Sequence, residues 1–148
     1  MKLFFAVLFT GILFGCANKA IKGNGDGQTI KKAPMNLKAT LGKSKETSDP
    51  LTIQKATVKG NNLILEVSYS GGCKDHAFEL SGNEMISKSL PPIRSVRLIH
   101  KSNGDGCEAL LTQTLHFDIS ELAYKKEAGS EIMLNIEGVD GNVRYTFE

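Results

Sequence analysis

Residues 63–80 read LILEVSYSGGCKDHAFEL. Leu63, Leu65, Val67 and Tyr69 fall on one face of an alternating run, and His76, Phe78 and Leu80 fall on one face of the next. Period-two alternation is the mark of a strand with one buried side. Two such runs, joined by Gly71-Gly72-Cys73, place a cysteine and a histidine where one strand gives way to another.

The same period continues outward. LTIQKATV (51–58) is a modest strand, followed by a turn at Gly60-Asn61-Asn62. IRSVRLIH (93–100) groups Val96, Leu98 and His100, and LTQTLHFDI (111–119) groups Leu111, Leu115, Phe117 and Ile119. IMLNIEG (132–138) and NVRYTFE (142–148) flank Val139-Asp140-Gly141-Asn142, whose Asp-Gly pair is a hairpin signal. About seven short strands after Leu51 predict an all-β domain, a small antiparallel sandwich or partly open barrel. At most one short helix, of a turn or two, is expected, where Asp118 and Glu121 have capping-box spacing ahead of LAYKKEAG.

The chain begins with Met1-Lys2, then an apolar run from Leu3 to Gly15. That run is short for a membrane span, which needs about 20 residues, and suits the core of a secretory signal. Leu13-Phe14-Gly15-Cys16 resembles the lipobox of bacterial lipoproteins. The resemblance implies cleavage before Cys16 and a lipid on its sulfur. Residues 1–15 are then the signal, 16–49 a lipidated tether, and 50–148 the domain. The tether is rich in Gly, Lys and Asn, which cannot bury enough surface to offset its ordering entropy. Residues 37–41 within it have the makings of a short strand.

Charge narrows the partners. The net charge is +2, and loss of Lys2, the one charged residue of the signal, leaves +1. No basic block points to nucleic acid. The expected location is the bacterial cell envelope, anchored to a membrane by the lipid. The absence of Asp after Cys16 favours the outer membrane, facing the periplasm. An envelope protein is the expected partner.

With Cys16 lipidated, Cys73 and Cys107 remain as an even pair in an exported domain. If the strands around Phe78 and Leu98 pair antiparallel across the Pro91-Pro92 loop, matching apolar faces sets Leu80 against Val96 and Phe78 against Leu98. His76 then meets His100 at the sheet end that carries both cysteines. Three chemistries fit, with a mixed case, the disulfide beside a His-His-Asp metal site, between the first two. The first is a Cys73–Cys107 disulfide that staples a modest core and needs no cofactor. The second is a zinc or copper site made by Cys73, His76, His100 and Cys107, two thiolates and two imidazoles suited to tetrahedral coordination. The third is a Cys-His nucleophile pair, for which no further signature residue is present. The favoured reading is a non-enzymatic binding or structural module; metal binding is the alternative.

GNGDG (23–27) and NGDG (103–106) look like calcium loops. In that register Lys22 and Lys101 occupy the first ligand position, and no glutamate closes either loop. They read as tether and turn.

Gly71, Gly72, Cys73, His76 and Phe78, then His100, Gly104, Asp105 and Cys107, then Phe117, Asp118, Ile119, Ser120 and Leu122 resemble the recurring pattern of a group of small bacterial envelope lipoproteins. The resemblance implies an envelope lipoprotein in which this cluster matters. It implies no activity.

Overall fold

The computed structural model describes residues 29–42 and 44–148. The signal, Cys16 and the first part of the tether lie outside the described residues. The described chain is all-β: β1 (Ile30–Lys31), β2 (Met35–Leu41), β3 (Thr52–Lys59), β4 (Asn62–Gly71), β5 (Ala77–Ile86), β6 (Ile93–Lys101), β7 (Ala109–Asp118), β8 (Glu131–Ile136) and β9 (Val143–Thr146). A single 3-10 turn spans Ser120–Leu122.

The strands run in the order β3-β4-β7-β2-β5-β6-β8-β9, with β1 also on β7. The sheet curls into a nearly closed barrel. Its two ends meet at Asn61, whose side-chain amide donates to the Glu148 carbonyl at 2.6 Å. Asn61 Oδ1 accepts the Tyr145 hydroxyl at 2.8 Å and the Glu148 N–H at 3.1 Å. The alternation read from the sequence becomes the inner face: Leu63, Leu65, Val67, Leu111, Leu115, Phe117, Ile132, Leu134 and Tyr145 are buried. Cross-strand pairs are antiparallel along β3-β4-β7, β5-β6 and β8-β9. β2 is parallel to both its neighbours, and β8 is parallel to β6.

The domain boundary expected at residue 50 is corrected. Met35–Lys38 pair with β7 and Ala39–Leu41 pair with β5, so β2 carries the chain from one half of the barrel to the other. It buries Ala39 fully and no other residue. A strand held by pairing on both sides needs little apolar signal, which is why its composition reads as tether.

The short helix is one 3-10 turn, Ser120–Leu122, and it forms without the expected capping box. Asp118 Oδ1 accepts the Ser120 N–H and hydroxyl at 3.0 and 2.6 Å, closing a local turn instead of a capping box. Leu122 is drawn into the core and the chain stays irregular through Ser130. Arg94, on the inward phase of β6 and 5% exposed, holds this turn. Its guanidinium donates to the carbonyls of Leu122 at 3.0 Å and Ala123 at 3.4 Å, and to Asn83 across the β5–β6 hairpin.

Candidate functional site

β4 and β6 end, and β5 and β7 begin, at one pole of the barrel. Two loops close this pole: residues 72–76 between β4 and β5, and residues 102–108 between β6 and β7. Cys73 and Cys107 join them as a disulfide, with Cα atoms 5.9 Å apart.

Asp105 joins the same loops a second time. Its Oδ2 accepts three successive backbone N–H groups, from Gly72, Cys73 and Lys74, at 2.8, 2.9 and 3.0 Å. Its Oδ1 accepts the Cys107 N–H at 2.9 Å. Consecutive amides curled around an oxygen form an anion nest. Gly72 makes the nest by adopting φ +127°, a conformation that side chains with a Cβ rarely take. These bonds, that from Cys107 foremost, hold the Asp105 carboxyl far below the usual carboxylate range. Lys74 Nζ donates to the Asn103 and Gly104 carbonyls, both at 3.0 Å, and Asn103 Nδ2 to the Asp75 carbonyl at 2.7 Å.

Beneath this clamp lie the imidazoles. His76 Nε2 is 3.1 Å from Asp105 Oδ2, and the two side chains are 2% and 0% exposed. His76 Nδ1 is 2.7 Å from His100 Nε2. His100 Nδ1 donates to the Pro50 carbonyl at 3.1 Å. Both rings pack on Tyr69, with centroids 4.7 and 4.9 Å away, and His100 stacks on Phe78 at 5.1 Å. Burial first, and the neighbouring His76 second, pull the His100 value down from the ordinary imidazole range. Gly71 leaves room for this packing: a Cβ there would come within 2.6 Å of His76 Nε2 and 3.0 Å of Asp105 Oδ2.

The four residues singled out in the sequence therefore do meet at one pole. The expected register is corrected: Leu80 faces Leu98, and Phe78 faces His100. His76 precedes β5 and reaches His100 diagonally. The sulfurs bond to each other, so in this oxidised form neither cysteine offers a thiolate, to an ion or as a nucleophile. The ligand atoms of Cys73, Asp105 and Cys107 lie within 4.8 Å of one another, whereas the imidazoles are bonded to each other, His76 also to Asp105 and His100 also to Pro50.

Two contributors escaped the reading of residues alone. Asp105 sits in a polar turn indistinguishable from a surface loop, and only the Gly-Asp-x-Cys resemblance marked it. The 48–50 segment looked like tether. It docks on β6 through the Ser48 hydroxyl, which accepts the His100 N–H at 3.0 Å, and the Asp49 N–H, which donates to the His100 carbonyl at 2.8 Å. Asp49 Oδ2 accepts the Ser102 N–H and hydroxyl at 2.7 and 2.6 Å.

No protein-family model matches the chain, and no curated protein matches it significantly. Among solved structures, the chain is similar to a NigD-like immunity protein from Bacteroides caccae, with TM-score 0.52 and 14% identity over 73% of this chain and 58% of that one. It also matches a protein of unknown function, DUF1344, from Bacteroides vulgatus, with TM-score 0.47 and 17% identity over 81% of this chain and 56% of that one. The chain thus spans less than two thirds of either neighbour. At 14% identity the likeness to the immunity protein is one of fold, a small β-domain.

Proposed function

We propose that the protein is a lipid-anchored envelope protein whose β-barrel is a non-enzymatic module for binding another envelope protein. The observation that carries this reading is the saturation of the Cys/His/Asp pole. Asp105 is bound by four backbone amides and His76, the imidazoles are bonded to each other, and both cysteines are spent on the disulfide. Among the described residues no buried side-chain nitrogen or oxygen lacks a partner. With both sulfurs in the disulfide, this pole keeps no thiolate to act as nucleophile. It is a brace that fixes the end of the barrel. The fold shared with a protein named for immunity supports a binding role over a catalytic one.

The surface offered for binding lies at the opposite pole. Leu90 is 99% exposed, Met85 72% and Tyr124 48%. A groove of about 660 Å³ runs between Leu90, Pro91, Pro92 and Tyr124. β1 runs parallel to the start of β7, so Ile30 lies near the braced pole. A lipid on Cys16 would then tether the barrel by that end and leave the Leu90 surface free for a protein facing the same compartment.

Photocrosslinking in cells producing the full chain tests this. A photoactivatable residue at position 90 or 124 should give one discrete adduct, and the same residue at Gln54, on the barrel flank, should give none. Absence of adducts at 85, 90 and 124 would contradict the binding surface. Cys16→Ser should block lipidation and leave the precursor unprocessed. Release of a processed soluble chain would contradict the anchor.

A further inference from the structure

Three contacts run in line from the Pro50 carbonyl through His100 and His76 to the Asp105 carboxylate. Both ends of this line only accept. Each contact needs one proton between its two heavy atoms. A neutral imidazole carries one ring proton, so two neutral rings supply two. Three contacts need three. We propose that His76 and His100 together hold three ring protons, and that the extra proton latches the braced pole shut.

The position of the charge follows from the surroundings. Pro50 requires the proton on His100 Nδ1, and Asp105 requires one on His76 Nε2. The middle proton sits on His76 Nδ1 or on His100 Nε2. The first places the positive charge on His76, directly against Asp105. The second places it on His100, which is 1% exposed, stacked on Phe78, and faces a neutral carbonyl. Desolvation opposes charge there. Moving the proton to Asp105 instead would break up a carboxylate bound by four amides. His76 is therefore the imidazolium, and His100 the neutral ring protonated at Nδ1.

The surrounding groups agree with one positive charge. From the 48–50 segment Asp49 faces the pair as a second anion, engaged with Ser102. From β4, Tyr69 directs its hydroxyl to Gln113 at 2.6 Å. The nearby cations are occupied elsewhere, Lys74 by loop carbonyls and Lys101 by Glu46. Glu79, on β5, acts on Lys101. Without the extra proton, one contact would set lone pair against lone pair, either His76 Nδ1 against His100 Nε2 across 2.7 Å or His76 Nε2 against Asp105 Oδ2 across 3.1 Å. Either repulsion would loosen His76 from one of its two partners. The proton thus closes the pole that the disulfide staples.

Ring-nitrogen NMR of the purified wild-type protein at pH 7.5 tests the proton count directly. Unfolded in urea at this pH, each imidazole is about one tenth charged. In the folded protein His76 should show both nitrogens protonated, and His100 a proton on Nδ1 alone. A bare, lone-pair nitrogen on His76 would overturn the proposal. Refolding at pH 7.5 in weak buffer with an indicator dye gives a second readout. The wild-type chain should take up close to one proton, and His76→Gln none. No uptake by the wild type, or equal uptake by His76→Gln, would also overturn it.

Discussion

His76 and His100 touch through their ring nitrogens at 2.7 Å although they are not cross-strand partners. His100 pairs with Phe78, and His76 lies outside the ladder, turned back toward Asp105 by the Gly71-Gly72-Cys73 corner. The contact belongs to the loop, and the loop is built from a nest, a disulfide and two glycines.

The disulfide bridges a sequence separation of 34 residues. Chain-entropy arithmetic for a loop of that length gives about 4 kcal/mol. The double variant Cys73→Ser, Cys107→Ser should lose close to that amount in urea unfolding. It should keep its barrel, because the Asp105 nest still joins the loops. A loss under about 1 kcal/mol would mean that the unfolded chain feels no constraint from the bridge.

The two glycines of the corner should fail differently. Gly71→Ala drives a Cβ into His76 and should destabilise by about 1–3 kcal/mol through overpacking. Gly72→Ala meets nothing closer than 3.5 Å, so its cost, about 1–2 kcal/mol, is backbone strain alone. Gly106→Ala, with open space around it, should be close to neutral. Equal effects at 71 and 106 would refute the packing of His76 against the corner.

Which of these features show in the sequence depends on how each is stabilised. β4, β5, β6 and β7 bury alternate side chains, and their periodicity reveals them. The register of β5 on β6 was misread by two residues for a physical reason. A slip of one residue would turn every apolar side chain outward, but a slip of two leaves all faces as they were. Between Gly82 and Ile86, four steps of β5 span two steps of β6, and nothing in the apolar pattern marks that bulge. β2 shows only faintly, as the short strand expected at residues 37–41, for another reason. It is held by backbone bonds on both edges, so its residues are free to be polar. Asp105 is hidden because a nest is made of backbone amides, which carry no sequence signature beyond a glycine.

Arg94 braces the opposite pole. Its burial lowers its affinity for a proton, yet guanidinium remains charged and satisfied by carbonyls alone. Arg94→Ala leaves those carbonyls without a donor and should destabilise by about 3 kcal/mol. Arg94→Lys should fall between, since one ammonium cannot span carbonyls of both the turn and the hairpin. Thermal unfolding of the three proteins gives the order.

Acid should lower the stability in two pH windows. His100 is held below its ordinary value of 6.5 by burial and then by His76, so the folded state resists its protonation more than the unfolded state does. Stability from this source is complete above 6.5 and is lost as pH falls through the lowered value. Asp105 is held below 3.8, first by the Cys107 amide, so its share is complete above 3.8 and is lost at lower pH. Denaturation midpoints should decline below about pH 6.5 and again below about pH 3.8. In His100→Gln the upper decline should weaken while the lower one persists.

The claim that the Cys/His/Asp pole is a brace and not a reactive centre rests on the Cys73–Cys107 bond. Peptide mapping of protein isolated from cells without reductant, with free thiols alkylated before digestion, tests it most directly. A brace predicts one linked peptide pair containing Cys73 and Cys107, about 2 Da lighter than the two reduced peptides together, and no alkylation at either position. Two alkylated thiols in the native protein would contradict the brace and return both sulfurs to the metal and nucleophile chemistries that the bond rules out.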